Sequence, residues 1–398
     1  MFSSRVPSDL APNRLAQALA KCRAEGRAIV DLTESNPTRA GFDYSPDLLA
    51  SLGDRNALTY SPEPLGLAAA RRAIAADYRR RGTTVAPERI ALTASTSEAY
   101  SLLFKVLCDA GDEVLTPRPS YPLFEHLTRL DAVVARPYDI EYHGTWAIDS
   151  AGIERSITER TRAVLLVSPN NPTGSFVKAG ELDAVAALCR PRGIAVIADE
   201  VFADYAFAAD QASHAASVAA RQDVLSFSLG GLSKSVGLPQ VKLAWIAASG
   251  PDTLARAAIA RLELACDTYL SVSTPVQLAV SALFDGGRTI RRQIQARVST
   301  NYRSMVEGVA VSPACRILPA EGGWYAVLQV PTFQPEEDLV LDLLTKHGVL
   351  VHPGYFFDFA RESFLVVSLL PPEPTFAEGV SRILRHFAGA SGPRVSAS

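Results

Sequence analysis

The sequence has little cysteine, and the cysteines it has form no pattern. Its 398 residues include five, an odd number that lie far apart and contain no Cys-x-x-Cys spacing. A disulfide framework needs an organised even set, and a structural zinc site needs closely spaced ligands. The sequence therefore argues against both, and we expect no metal site.

Long hydrophobic runs and blocks of one charge are also missing. No apolar stretch approaches the ~20 residues that span a bilayer, and the first fifteen residues lack the apolar core of a signal peptide. The net charge is −3, with acidic and basic residues mixed, so nothing indicates a surface for nucleic acid or anionic membrane. We expect a cytoplasmic protein with neither as its partner.

The composition is that of an ordinary globular protein, with 48% hydrophobic and 20% charged residues. In the middle of the chain short apolar runs alternate with helical segments. For example, the run 163–167 is followed by a helical segment at 179–190 and a second run at 194–198. This alternation predicts an α/β fold, with a mostly parallel sheet covered by helices on both faces.

A chain of this length exceeds what one hydrophobic core usually serves. We predict a large domain at 45–285 and a smaller α+β domain at 286–390, where the alternation of strand and helix gives way to a long helix at 289–306 and a few strands. The segment 1–44 is expected to pack with the small domain. The small, polar residues 391–398 are expected to form a flexible tail.

A lysine lies among serines and glycines directly after an apolar strand, in Gly231-Leu-Ser-Lys234-Ser. A lysine that binds a carbonyl cofactor as a Schiff base needs such a tight loop with little bulk and nearby donors for a phosphate. A surface lysine in a flexible loop would have the same local sequence, so this motif alone leaves both interpretations open.

Two further loops follow predicted strands. Asn171 lies between prolines in the stretch 168–174, and loops at the carboxyl ends of parallel strands bind ligands in α/β sheets. A plain turn would use the same residues. Asp199 ends the next predicted strand, where a carboxylate can accept a hydrogen bond from a pyridinium N–H. Alternatively, Asp199 could be the N-cap residue of a helix.

The stretch Thr93-Ala-Ser-Thr-Ser-Glu98 joins a predicted strand to a predicted helix. Free amides at a helix N-terminus, together with hydroxyl groups, form a site for an anion such as a phosphate. The same spacing of a hydroxyl residue and a glutamate is that of a capping box. The two interpretations are compatible with each other.

In their order along the chain these motifs resemble the class I/II aminotransferases, the pyridoxal 5'-phosphate (PLP) enzymes of fold type I. The resemblance extends from about residue 32 to the last helix. It includes Tyr60-x-Pro-x-x-x-Gly66, Pro119-Ser-Tyr-Pro122, Glu321-Gly-Gly-Trp-Tyr325 and His352-Pro-Gly354. It implies the PLP-transferase fold, with a large PLP-binding domain and a smaller domain.

The resemblance also implies roles for single residues. Lys234 binds the cofactor and moves the proton at the substrate Cα, and Asp199 pairs with the pyridine nitrogen. Asn171 donates to the phenolic oxygen of the ring, and Tyr121 stacks on the ring face. These residues form the predicted catalytic and cofactor site.

Three hydroxyl residues, Ser95, Thr96 and Ser97, are implied to surround the phosphate. Tyr60 is implied to reach the phosphate of a partner subunit, which predicts a homodimer with composite active sites. Ser35 is implied to border the substrate.

The sequence departs from the family pattern at four positions. Phe202 replaces a tyrosine that donates to the phenolic oxygen, Gly231 replaces a serine, and Lys242 replaces an arginine, both of which bind the phosphate in the family. Lysine keeps the charge but loses the two-pronged geometry of arginine. Val366 stands where the family has an arginine for the substrate carboxylate.

Arg39 is our candidate for that missing cation, because it lies four residues after Ser35. A solvated loop arginine is the alternative.

The predicted function is transfer of an amino group between an amino acid and a 2-oxo acid by a ping-pong mechanism. A PLP-dependent lyase, decarboxylase or cyclase is the main alternative, because the carboxylate site at Val366 is altered. A PLP-sensing regulator is a third. It is disfavoured because only about thirty residues, which are not basic, precede the first family motif.

Overall fold

The computed structural model describes residues 1–207 and 214–390. The strands are β1 (Val30–Asp31), β2 (Ile90–Thr93), β3 (Glu113–Arg118), β4 (Val134–Tyr142), β5 (Trp146–Ile148), β6 (Thr161–Val167), β7 (Ala195–Asp199), β8 (Ser226–Gly231), β9 (Ala244–Ser249), β10 (Arg316–Leu318), β11 (Tyr325–Gln329), β12 (Val349–Leu350), β13 (His352–Pro353) and β14 (Phe364–Ser368).

The α-helices are α1 (Arg14–Ala24), α2 (Ala68–Arg80), α3 (Thr96–Leu107), α4 (Phe124–Leu130), α5 (Ser150–Ser156), α6 (Ala179–Cys189), α7 (Leu232–Ser235), α8 (Asp252–Tyr269), α9 (Thr274–Ala310), α10 (Glu336–His347) and α11 (Glu373–Ala390). Short 3-10 helices are found at Pro37–Arg39, Pro46–Gly53, Arg55–Leu58, Pro87–Arg89, Arg190–Arg192, Val218–Ala220, Pro239–Val241 and Gly354–Phe357.

The central sheet has the strand order β2-β9-β8-β7-β6-β3-β4-β5. Strands β8, β7, β6, β3 and β4 are parallel. Strand β9 is antiparallel to both β2 and β8, so β2 points the same way as the parallel strands. The carboxyl ends of these six strands therefore meet at one edge of the sheet, and the prediction of a mostly parallel α/β sheet is confirmed.

The central strands β7 and β8 are buried along their whole length because helices cover both faces of the sheet. On one face Ile197 packs in a cluster with Leu103 of α3 and Leu262 of α8. On the other face Val196 packs with Val185 of α6. Each large aliphatic side chain buried in this way contributes roughly 1.5–3 kcal/mol, which favours this register because a slip by one residue would reverse the two faces.

A second, antiparallel sheet has the order β10-β11-β14-β13. The N-terminal segment lies beside it, because β1 pairs in parallel with β12. In addition, Arg14 of α1 forms ion pairs with Glu337 at 2.7 Å and Asp338 at 3.0 Å, both on α10.

The long helix α9 begins earlier than the sequence predicts. The predicted helix at 289–306 is its C-terminal part, and the predicted domain boundary at 285/286 falls inside it. The division into domains stays a prediction. The predicted flexible tail, 391–398, lies outside the described residues.

Across 1–207 and 214–390, no helix is both long and apolar enough to cross a membrane. The same residues contain no group of three or more His, Cys, Asp or Glu side chains suited to a metal ion.

Candidate active site

The predicted site residues gather at the edge where the parallel strands end. Ser95 follows β2, Tyr121 follows β3 and Asn171 follows β6, while Asp199 is the last residue of β7 and Lys234 lies on α7 directly after β8. Ligands of open α/β sheets bind outside the carboxyl ends of the strands. The topology thus brings together residues that lie as much as 139 positions apart in the numbering.

Lys234 lies between two aromatic rings. Its Nζ is 4.8 Å from the ring centre of Trp324 and 5.6 Å from that of Phe202. Burial lowers the pKa of the lysine to about 8, and the charge of Asp199 opposes this shift. Near neutral pH a useful fraction of the amine is therefore unprotonated, which is the form that attacks a carbonyl carbon.

Asp199 is buried at the end of β7. Its Oδ2 accepts a hydrogen bond from the hydroxyl of Tyr100 at 3.2 Å, and its Oδ1 accepts one from the amide of Val201 at 3.1 Å. Burial raises its pKa to about 6, against the effect of these two hydrogen bonds. A buried carboxylate without a cation in direct contact fits a bound group that carries a protonated ring nitrogen, as PLP does.

The two adjacent asparagines of the 168–174 loop have different surroundings. Asn170 holds the loop together: its Nδ2 donates to the Pro119 carbonyl at 3.3 Å, and its Oδ1 accepts from the Thr173 hydroxyl at 3.0 Å. Asn171 is also buried, yet within 1–207 and 214–390 its Oδ1 has no hydrogen-bond partner. Unlike Asn170, Asn171 is therefore not committed to holding the loop, and its implied role, which uses Nδ2 as a donor, stays a prediction.

Tyr121 lies near Asp199. Its pKa is raised by burial and by the negative charge of Asp199, and its ring meets that of Phe124 edge-on at 5.9 Å. It is thus placed on the ligand side of the sheet edge, as expected of a residue that would cover the face of the cofactor.

Ser95 begins helix α3 in the way a capping residue does. Its Oγ accepts from the amide of Glu98 at 3.1 Å, while Glu98 accepts from the amide of Ala94 and from the hydroxyl of Ser271. The Ser95 half of the predicted capping box is therefore present, whereas the Glu98 side chain bonds the amide of Ala94 rather than that of Ser95. Thr96 and Ser97 form the first turn of the helix, where amides and hydroxyls also suit a phosphate.

The local packing explains why a glycine, rather than a serine, occupies position 231. A Cβ atom built at this position would lie 3.1 Å from the Cβ of Ala244 on the neighbouring strand β9. The serine that is common in the family would therefore be crowded here.

Three predicted residues lie at the surface of the single chain. Tyr60 is 72% exposed, and Lys242 and Arg39 are also exposed. Within 1–207 and 214–390, the side chains of these three residues make no hydrogen bond or ion pair. Their roles toward the cofactor and the substrate stay predictions.

The residues that the resemblance implies for the substrate come from the N-terminal segment and the second sheet. Burial raises the pKa of Tyr325 to about 12, and the side chain of Ser35 acts in the opposite direction. The ring of Tyr325 lies 6.4 Å from that of Phe202, beside Lys234. Val366 is fully buried in an apolar cluster that includes Phe357, so no charge stands at that position.

Sequence reasoning missed two residues of the site. Tyr100 holds Asp199 but lies on the buried face of α3, where an aromatic residue is typical of any core helix. Trp324, which covers Lys234, is 1% exposed and its Nε1 has no partner in the described residues. It belongs to the Glu321-Gly-Gly-Trp-Tyr325 motif, which the sequence analysis matched to the family without giving Trp324 a role.

The family model for aminotransferase class I and II matches residues 28–383. This chain belongs to the class I and II aminotransferases. Enzymes of this family depend on PLP, and the chain is accordingly a PLP-dependent aminotransferase of fold type I. The expectations of family, cofactor and fold are confirmed.

Named relatives of this aminotransferase are similar over most of its length. An alanine aminotransferase from Mycobacterium bovis is 28% identical, covering 92% of this chain and 87% of its own. The glutamate-pyruvate aminotransferase AlaA of Escherichia coli is 26% identical, covering 92% of both.

Solved structures support the same fold. A crystal structure of an aminotransferase from Escherichia coli superposes with a TM-score of 0.85 at 25% identity, covering 98% of each chain. An alanine aminotransferase from Pyrococcus furiosus, at 22% identity, has a TM-score of 0.87 and covers 98% of this chain and 100% of its own.

Proposed function

We propose that this aminotransferase moves an amino group from an amino acid to a 2-oxo acid by a ping-pong mechanism, with Lys234 as the residue that binds PLP. The observation that carries the proposal is that the amine of Lys234, enclosed by Trp324 and Phe202, and the buried carboxylate of Asp199 lie at the same edge of the sheet. PLP, when bound, supplies an electrophilic carbon and a ring that accepts electrons.

The residues of the chain divide the remaining work. Lys234 would hold the cofactor through its amine and would move the proton at the substrate Cα as a general base and acid. Asp199, oriented by Tyr100, would keep the ring nitrogen protonated. Asn171 would donate to the phenolic oxygen, and Tyr121 would cover the ring.

The names of the relatives favour amino acids and 2-oxo acids as the two substrates. A donor screen tests this. Each amino acid is added alone to the PLP form, absorbance follows conversion to the pyridoxamine form, and mass spectrometry identifies the oxo acid. Stoichiometric pyridoxamine and oxo acid for at least one donor is the expected result. Return to the PLP form on adding a second oxo acid would establish the ping-pong order.

The buried Val366 gives a specific reason to keep a second candidate. A valine cannot bind a carboxylate, and an unpaired carboxylate in a closed site would cost several kcal/mol. A PLP-dependent lyase, decarboxylase or cyclase is therefore the alternative. Release of carbon dioxide, an eliminated group or a cyclic product, with the cofactor still in its PLP form, would replace the aminotransfer proposal.

We further propose a homodimer with composite sites, working in the cytoplasm. The exposed Tyr60 supports this, because in the family the matching tyrosine reaches the partner's phosphate. Light scattering should give the mass of two chains. Mixing Lys234→Ala with Tyr60→Ala should restore activity above either variant alone, since one site of each mixed dimer then carries neither change. A fully active single chain would contradict the proposal.

A further inference from the structure

Lys234 lies on a helix that is too short to be stable by itself. Helix α7 has four residues, and glycines flank it at positions 230, 231 and 237. Forming a single turn costs more conformational entropy than its hydrogen bonds return, and the last carbonyls of a helix have no partners within it. The position of the lysine backbone must therefore be fixed from outside the helix.

Three side chains donate to carbonyls of this turn. The hydroxyl of Tyr205 donates to the Lys234 carbonyl at 2.5 Å, Nε of Arg291 to the Ser235 carbonyl at 2.6 Å, and the hydroxyl of Tyr44 to the Gly237 carbonyl at 2.7 Å. The donors come from three separate parts of the chain. We call Tyr44, Tyr205 and Arg291 the lysine clamp.

Arg291 is itself held by two buried carboxylates. Asp77 lies 3.6 Å from its Nη2 and Asp204 lies 3.6 Å from its Nε, and the side chains of all three residues are at most 11% exposed. Arg80 pairs with the same two carboxylates, at 2.8 Å and 2.5 Å. A cation at the carbonyl end of a helix is also favoured by the helix dipole, so Arg291 is fixed and well placed to hold the turn.

Helix α9, which carries Arg291, lies directly against the turn. A Cβ atom built on Gly287 of this helix would lie 2.5 Å from the Cβ of Val236. At Gly237, where φ is +66°, an added Cβ would lie 2.9 Å from Ile290 and 3.0 Å from the Tyr44 hydroxyl. The glycines allow a close approach that no larger residue would permit.

We propose that Tyr44, Tyr205 and Arg291 are positioning residues that hold the backbone of Lys234 so that its amine reaches the proton it transfers. The inference rests on the proposed role of Lys234. A displacement of about 1 Å at a catalytic group can cost on the order of 100-fold in rate. Loss of the clamp therefore slows proton transfer while leaving substrate binding almost unchanged.

The test compares Arg291→Gln, Tyr205→Phe and Tyr44→Phe with the control Arg292→Gln, which changes the exposed neighbouring arginine. Hydrogen-deuterium exchange of the protein without cofactor reports on the amides of residues 230–238. The half-reaction with a donor deuterated at Cα reports on proton transfer. Arg291→Lys, which keeps the charge, tests for recovery.

For Arg291→Gln we expect faster exchange at 230–238, a fall of roughly 10- to 100-fold in kcat with little change in KM, and a larger isotope effect. The two tyrosine variants should show smaller changes in the same direction. Arg291→Lys should recover part of the lost rate, and Arg292→Gln should give wild-type values.

Wild-type exchange and isotope effect in both Arg291→Gln and Tyr205→Phe would overturn the proposal. So would a lower rate with an unchanged isotope effect, because a smaller fraction of folded enzyme explains it. Failure of the proposed function is distinct, since wild-type protein would then form no pyridoxamine with any donor.

Discussion

The two ends of the active site are built in different ways. At the cofactor end, Asp199 and Asn171 are buried at strand ends, and the clamp fixes the turn of Lys234. At the substrate end, Ser35 and Val366 come from the N-terminal segment and the second sheet, and no cation stands at 366. In the proposed site, the chemistry of the cofactor would thus rest on the sheet edge, whereas substrate choice would rest on segments that pack beside it.

This difference teaches which part of the function a single sequence can reveal. Attaching a cofactor and controlling one proton needs a fixed set of groups, so those residues are recognisable. A substrate carboxylate can be held by a cation from any neighbouring segment, or a substrate can lack it. The following predictions test each end separately.

Lys234→Ala should have the largest effect, with loss of nearly all turnover and of the absorbance of lysine-bound cofactor. In the part of the chain that the structure describes, Lys234 is the residue whose amine lies over the rings of Trp324 and Phe202. Steady-state assays and absorbance spectra measure both changes. Lys346→Ala, which changes a lysine on α10 paired with Asp342, is the control and should behave as wild type.

Asp199→Asn should lower kcat by ~100-fold or more, the scale of removing one preorganised electrostatic contact from an active site. The amide has no charge to keep the ring nitrogen protonated. Stopped-flow measurement of the half-reaction tests this. A rate within a few-fold of wild type would show that the carboxylate is only structural.

The same variant should stabilise the protein without cofactor at high pH. Because burial raises the pKa of Asp199 from 3.8 to about 6, the folded chain keeps a proton that the unfolded chain releases between about pH 4 and 6. The contribution of this group to stability therefore falls as pH rises through that range. At pH 8 Asp199→Asn should gain up to about 3 kcal/mol, and at pH 4 almost nothing. Denaturant unfolding at the two pH values measures it.

At the substrate end, Arg39→Ala should lower kcat/KM for amino acids by ~100-fold if Arg39 holds the carboxylate, the scale of a lost charged hydrogen bond. Amines without a carboxylate should be almost unaffected. Equal loss for both substrate types, or no loss, would exclude Arg39. A wild-type preference for simple amines would instead indicate a substrate without an α-carboxylate.

Phe202→Tyr should produce the smallest change, a lower spectral pKa of the lysine-bound cofactor. The ring at 202 lies beside Lys234 and has no donor. A hydroxyl that donates to the phenolic oxygen stabilises the deprotonated form, in which that oxygen carries its charge unshielded. Absorbance titration measures the shift, and an unchanged or higher pKa would count against this role for position 202.

The sequence predicts the sheet, and the place where the predicted cofactor residues meet, for a physical reason. Each motif follows its own strand, and parallel strands bring their carboxyl ends to one edge, so the order of motifs specifies the place. The carboxylate of Asp199 and the amine of Lys234 are also the residue types that this chemistry requires.

Other features could not be read in this way. Tyr100 and Arg291 contact residues that are distant in the sequence. Tyr100 lies 99 positions from Asp199, and Arg291 lies 56 positions from Ser235. The predicted start of the long helix at 289 is wrong: the helix begins at Thr274, and Gly287 lies inside it, packed closely against Val236. Such packing glycines have no local sequence signature.

The most direct test of the account is to find the lysine that carries the cofactor. Borohydride reduction of the wild-type enzyme with bound PLP, followed by tryptic peptide mapping, makes the attachment permanent and locates it. We predict that the label is found on Lys234 alone, and that it is absent after prior conversion by an amino donor. A label on any other lysine would contradict the assignment of the active site.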